Sequence, residues 1–198
     1  MSSSSAGDRL LSVARQLRES AALNERLARE APERILQAAE MLIAAFRSGN
    51  KVLLCGNGGS AADCQHMATE FVSRFHPHRQ RPALPALALT TDTSILTAHS
   101  NDASFEGVFE RQLQAHGKPG DVLVAISTSG NSKNVIRAVE TARRMQVRTL
   151  GLLGEGGALV ALVDCAVVVP SRDTQRIQEA LLCVEHILCD LTESALFP

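Results

Sequence analysis

Lys51-Val52-Leu53-Leu54-Cys55-Gly56-Asn57-Gly58-Gly59-Ser60 is the stretch that decides the fold. A short apolar run breaks off into Gly-Asn-Gly-Gly, and a helical pattern follows to about Glu70; this is how a buried strand hands over to a helix. Glycine lets the backbone approach a ligand closely, and the first amides of the new helix point out unpaired, so an anion such as a phosphate can be held there. The turn is a poor dinucleotide fingerprint. Ala61 could stand at the third glycine position, but His76 to Arg81, about 20 residues on, contain no acid for a ribose. The Lys-Ser/Thr of a P-loop is also missing.

Upstream, apolar residues fall at helical spacing from Asp8 to about Glu30 (Leu10, Leu11, Val13, Ala14, Leu17) and from Glu33 to Arg47 (Ile35, Ala38, Ala39, Leu42, Ile43, Phe46). Pro32 separates the two runs and Gly49-Asn50 ends the second, which predicts an antiparallel helical pair. Leu10, Leu17 and Leu23 cannot all find cover within such a hairpin, so a sheet or another subunit is expected to supply it. Downstream, further strands are expected at 86–89, 121–126, 148–153 and 165–169. Helices are expected at 60–74, with Ser60 as N-cap, and at 94–98, 105–115, 134–145, 158–162 and 174–196. Short apolar strands alternating with amphipathic helices specify a parallel sheet covered on both faces. The expected architecture is therefore a three-layer α/β/α sandwich with a five-stranded parallel sheet, preceded by an N-terminal helical hairpin. Residues 1–48 form the hairpin, packed on the core and on neighbouring subunits, and 49–198 form the binding domain.

Composition narrows the function. The 198 residues are 45% apolar with a formal net charge of −1, so there is no global basic footprint for nucleic acid and no charged tail for a membrane. Without Trp or Tyr, stacking platforms for bases or sugar rings are largely missing. Five cysteines (Cys55, Cys64, Cys165, Cys183, Cys189) form no CxxC and fall in predicted strands and helices, where buried free thiols are expected. The polar start Met1-Ser2-Ser3-Ser4-Ser5 has no apolar leader core and no run reaches membrane-spanning length. A soluble, cytoplasmic protein is expected.

Three further features could carry chemistry. Ser127-Thr128-Ser129-Gly130-Asn131-Ser132 follows the third strand directly and places hydroxyls, an amide and free helix-start amides within one turn, a density of neutral donors suited to a phosphate monoester. On the helix after the first turn, His66 and Glu70 lie at i and i+4 on one face, a spacing shared by metal ligands, acid/base pairs and ordinary solvated helix pairs. On the final helix, Gln178 and His186 stand about 80° apart around the axis, with His186 set in the apolar run Leu181, Leu182, Val184, Ile187, Leu188, where a core histidine is equally natural. Cys64 and Cys189 match no zinc spacing.

Taken together, Gly56-Asn57-Gly58-Gly59-Ser60, His66, Glu70, Ser127-Thr128-Ser129-Gly130-Asn131-Ser132, Arg176-Ile177-Gln178-Glu179 and His186 resemble the sedoheptulose 7-phosphate isomerase (phosphoheptose isomerase) family of the flavodoxin-like SIS sugar-isomerase fold. The resemblance runs from the N-terminal helices to the C-terminus. It implies a homotetramer with active sites near subunit interfaces and one zinc per subunit held by His66, Glu70, Gln178 and His186. It implies substrate contacts from Asn57, Gly58, Gly59, Glu70, Asn101, Asp102, Ser127, Thr128, Ser129, Ser132 and Gln178, with Arg74 nearby. The reaction implied is aldose-ketose isomerisation of sedoheptulose 7-phosphate to D-glycero-D-manno-heptose 7-phosphate through an enediol, with Glu70 as base and His186 as acid. Because a zinc-bound carboxylate is a poor base, either Glu70 leaves the metal during turnover or another group moves the proton; both remain open.

Leu181 stands where family members often carry a histidine. Some relatives keep the fold without the metal set and bind a bacterial replication-initiator protein instead, and Ala195-Leu196-Phe197-Pro198 looks like theirs. Those adaptors lack the residues matching Glu70 and His186, and this chain has both.

Overall fold

The structure, a computed structural model, describes residues 6–198; the polar start at 1–5 lies outside the described residues. Two helices, α1 (Ala6–Glu30) and α2 (Pro32–Arg47), precede β1 (Val52–Gly56). Then follow α3 (Gly59–Val72), β2 (Ala86–Ala88), α4 (Thr93–Asp102), a 3-10 turn at Phe105–Gly107 and α5 (Val108–His116). The chain continues through β3 (Val122–Ser127), α6 (Lys133–Arg144), β4 (Arg148–Gly154), α7 (Leu159–Leu162), β5 (Cys165–Val169) and α8 (Thr174–Leu196).

All strand pairs are parallel, in the order β2-β1-β3-β4-β5, so the expected five-stranded sheet is present. Alternation along the strands sorts the core into two layers. Val52, Leu54, Val124, Ile126, Leu150 and Val167 meet α2, α3 and α8, whereas Leu53, Cys55, Leu123, Ala125 and Leu153 meet α5, α6 and the start of α7. The strand order reverses direction between β1 and β3, which opens a crevice at the carboxyl ends of those two strands, where sheets of this kind bind ligands.

Three local expectations change. Helical hydrogen bonding runs through the α1–α2 junction (Ala31 N to Leu27 O, 2.9 Å; Ile35 N to Ala31 O, 3.0 Å), so the chain kinks at Pro32 without a reversing loop. As a result α1 leans on the α8 side, where Arg176 Nη1 donates to Gln16 O at 2.6 Å. Ser60 is not the N-cap of α3: it lies inside the first turn, and Gly58 caps with φ 59°, a left-handed conformation that a side chain would strain. Cys183 is exposed on α8, while Cys55, Cys64, Cys165 and Cys189 are buried free thiols as expected.

Candidate active site

The turn after β1 is shaped for close approach. A Cβ on Gly56 would meet Ser60 O at 2.8 Å and Ile126 O at 3.0 Å, so only glycine lets the strand end turn directly into α3. Asn57, half-buried, leaves the turn toward α6, and its amide exchanges hydrogen bonds with that of Asn134, 2.9 Å in each direction. Gly59 is open for a different reason: a Cβ there would lie 2.0 Å from Gln178 Nε2, because the Gln178 amide of α8 rests on the backbone of Gly59.

The turn after β3 is held from within and from one side. Ser127 Oγ lies 3.3 Å from Ser132 Oγ and accepts from Gly130 N at 3.2 Å, while Ser129 Oγ accepts from Asn131 N at 3.2 Å. Gly130 has φ +64°, and its Cβ would strike Gly156 O at 2.6 Å; the loop after β4 props this turn, with Ala158 N donating to Asn131 Oδ1 at 3.0 Å and Leu159 N to Gly130 O at 3.0 Å. Ser132 precedes α6 with extended backbone and makes no side-chain cap bond, its hydroxyl facing Ser127 instead, at a helix N-terminus whose dipole favours an anion.

Helices α3 and α8 bring the ionisable residues together. His66 Nε2 lies 2.8 Å from His186 Nε2, although the two residues are 120 positions apart, and 3.7 Å from Glu70 Oε1. The rings meet edge to face with centroids 5.1 Å apart. His66, Glu70 and His186 thus meet on the α3–α8 seam, whereas Gln178 lies against Gly59 at the start of α3. The nitrogen, carboxylate and amide donors suit zinc. The spacing is that of a direct hydrogen bond, closer than the roughly 3.3 Å between two nitrogens on one tetrahedral zinc. Among the described residues no three His, Cys, Asp or Glu side chains form a ready metal cluster, so the rings must part for both lone pairs to face a cation.

Behind this seam sit acids that the sequence did not reveal. Glu185 is fully buried and neither carboxyl oxygen has a hydrogen-bond partner among the described residues; burial, then the charge of Asp63, pushes its pKa up to about 8. Burial also raises Asp63, partly offset by His66, and Asp63 Oδ2 has no hydrogen-bond partner among the described residues. Below them, Arg81 and Glu193, each with a side chain 1% exposed, pair at 2.6 Å. Arg81 donates to the carbonyls of Glu70 (2.8 Å) and Phe71 (2.9 Å), closing the end of α3, and Glu193 accepts from the amides of Phe75 (2.9 Å) and His76 (3.0 Å). The only trace of these in the sequence is charge on an apolar stripe: Glu185 and Glu193 recur eight residues apart among Leu181, Leu188 and Cys189.

Asn101 and Asp102 end α4, bonded to each other at 2.8 Å and, among the described residues, to neither loop. Arg74 is exposed just past α3, and Thr128 lies half-buried with its carbonyl against Gly154.

The SIS domain family matches residues 16–154. A phosphoheptose isomerase of Trichlorobacter lovleyi is 51% identical over 186 residues, 93% of this chain and 94% of that protein. The chain belongs to the phosphoheptose isomerase family. One from Roseiflexus sp. is 55% identical over 164 residues, covering 82% of each. Among solved structures, the phosphoheptose isomerase of Neisseria gonorrhoeae superposes with TM-score 0.88 at 42% identity, covering 93% of this chain and 98% of that one. That of Francisella tularensis gives TM-score 0.90 at 35% identity, covering 94% and 98%. The replication-initiator adaptor finds no support among these relatives.

Proposed function

We propose that this phosphoheptose isomerase interconverts sedoheptulose 7-phosphate and D-glycero-D-manno-heptose 7-phosphate through an enediol. The observation that carries the proposal is the convergence of His66, Glu70 and His186 on the α3–α8 seam beside two anion-suited turns. The turn at Ser127–Ser132 anchors the phosphate, so that binding remote from the reacting carbons positions C1 and C2. Glu70 takes the proton from C1 while His186 delivers one to O2, giving the enediol. Glu70 then returns its proton to C2 while the O1 hydroxyl gives its proton back to His186, and the aldose results with no net change in atoms. His66, Glu70, Gln178 and His186 would hold a zinc ion, one per subunit, which would supply polarisation of the substrate carbonyl; because a carboxylate or imidazole on a metal is a poor base or acid, Glu70 and His186 move protons only when released from it.

The same proposal includes a homotetramer. Leu10, Leu11, Val13 and Leu17 of α1 are 71%, 71%, 56% and 68% exposed, and an apolar groove of about 410 Å³ runs between the α1–α2 kink and α8, lined by Leu27, Ile35, Leu36, Val184, Ile187 and Leu191. Exposed apolar surface of this extent supports an interface between copies of the chain. Free thiols and the lack of a membrane-crossing helix among the described residues accord with a cytoplasmic location.

Sedoheptulose 7-phosphate incubated with purified protein and followed by NMR should yield aldose phosphate, and Glu70→Gln should abolish this while the thermal melt stays unchanged. Near-normal turnover by that variant would remove Glu70 from the role of base. Metal analysis of the purified protein reads zinc independently of turnover.

A further inference from the structure

Asn57 begins the turn after β1 and Asn134 lies in the first turn of α6, 77 positions later, and their amides form a closed ring of two hydrogen bonds across the crevice between β1 and β3. A pair of this kind has two equivalent settings, because turning both amides over together keeps both bonds. A third contact removes the choice. Val135 N donates to Asn134 Oδ1 at 3.0 Å, and since a backbone N–H can only donate, the oxygen of Asn134 must face it. That orientation of Asn134, which is 3% exposed, then dictates which end of the Asn57 amide is nitrogen and which is oxygen.

Each amide nitrogen carries two hydrogens and each oxygen two lone pairs. The ring consumes one of each on Asn57. One N–H and one lone pair remain, with fixed directions, on a side chain that is only half-buried at the mouth of the crevice. A sugar hydroxyl both donates and accepts, and can satisfy that pair.

We propose that Asn134 is a positioning residue that fixes the donor and acceptor sense of Asn57, and with it the hydroxyl arrangement that the crevice accepts from a sugar phosphate. This rests on the isomerase function stated above, with Asn57 in contact with substrate. Asn134 itself acts through Asn57.

The test is Asn134→Asp. The variant keeps the shape and an oxygen for Val135 N–H and Asn57 Nδ2, and its carboxylate suits a helix N-terminus. It lacks the N–H that Asn57 Oδ1 requires. Asn57 also contacts the ground state, so KM for sedoheptulose 7-phosphate should rise about tenfold with kcat within about threefold of the parent. On an Asn57→Ala background the same substitution should change KM by less than about twofold, because its only route of action is gone. The side-chain amide signals of Asn57 in a 1H–15N spectrum should exchange slowly with water in the parent and be shifted, with faster exchange, in Asn134→Asp. This readout needs no turnover, so it decides the amide lock even if the parent fails to isomerise this sugar. Asn134→Ser, too short to reach Asn57, should reproduce both effects if the aspartate variant does not fold. A KM within about twofold of the parent in a folded variant, full multiplication of the two substitutions' effects, or unchanged Asn57 amide signals would overturn the proposal. So would the failure of both variants to fold, which would make Asn134 a residue of stability alone.

Discussion

Gly59→Ala separates stability from activity at this site. Gly59 opens α3 with an ordinary negative φ, so alanine meets no backbone strain there and, as the better helix former, leaves stability unchanged or raises it by up to about 1 kcal/mol. The new Cβ, however, would stand 2.0 Å from Gln178 Nε2, whereas ordinary contact begins at 3.4 Å. The difference of 1.4 Å must be met by movement, and the yielding group is the end of a flexible side chain, so the fold survives and the Gln178 amide is displaced. A displacement of about 1 Å in a positioned group costs about 100-fold in rate, and Gln178 belongs to the proposed metal set. The expected result is therefore a melting temperature equal to or above that of the parent and kcat/KM lower by about two orders of magnitude, measured by NMR of the isomerisation. Adding Gln178→Ala should then cost little more, since the amide has already left its place. Activity within about threefold of the parent in Gly59→Ala, or a second large loss on adding Gln178→Ala, would refute the reasoning.

Glu193→Gln should lower unfolding free energy by about 3–5 kcal/mol in urea titrations at neutral pH, because it leaves Arg81 charged and unpaired in the interior. Burial opposes ionisation of Glu193, but the amides of Phe75 and His76 and the Arg81 guanidinium outweigh it and hold the carboxyl below its ordinary range. Its contribution is thus fully present above the unfolded pKa of about 4.3 and lost as pH falls through the lower folded value, so parent and variant should converge in acid. Leu17→Glu places a charge on the exposed apolar stripe of α1 and should shift sedimentation toward smaller species with little change in protomer helicity, whereas an unchanged oligomer would remove α1 from the interface.

The layers were legible because the strands are short apolar runs, four of them closed by Gly, Ser or Pro and β2 by Thr90-Thr91, and the longer helices show an apolar face. Cys165–Val169 and Thr174–Leu196 fall where period and punctuation put them. The α1–α2 junction was not legible as a kink, because Pro32 suits a helix start whether the chain reverses before it or merely bends. Ser60 was misplaced as N-cap because the sequence shows a good capping residue and does not show the left-handed φ of Gly58. Of the site, His66 and Glu70 were visible as neighbours through helical spacing, and the structure adds His186 at 2.8 Å. Asn134 was invisible for a physical reason: an asparagine in the first turn of a helix is ordinary, and only the tertiary fold supplies the amide that it grips.

A site assembled from helices 120 positions apart depends on what holds the helices in phase. Met67 and Phe71 of α3 share a core with Leu181, Val184 and Leu188 of α8, which fixes how close the helices lie. Apolar contact is non-directional and resists sliding along the axis only through shape. Arg81 supplies direction: one planar guanidinium donates to the last carbonyls of α3 and, through Nε, to Glu193 of α8, so a single rigid group engages both helices. Glu70 is itself one of the residues whose carbonyl Arg81 holds, which places the proposed base at the clamped end of its helix. Against a well-packed apolar replacement such a buried pair adds little net stability. What it adds is axial register, and axial register is what sets His66 opposite His186.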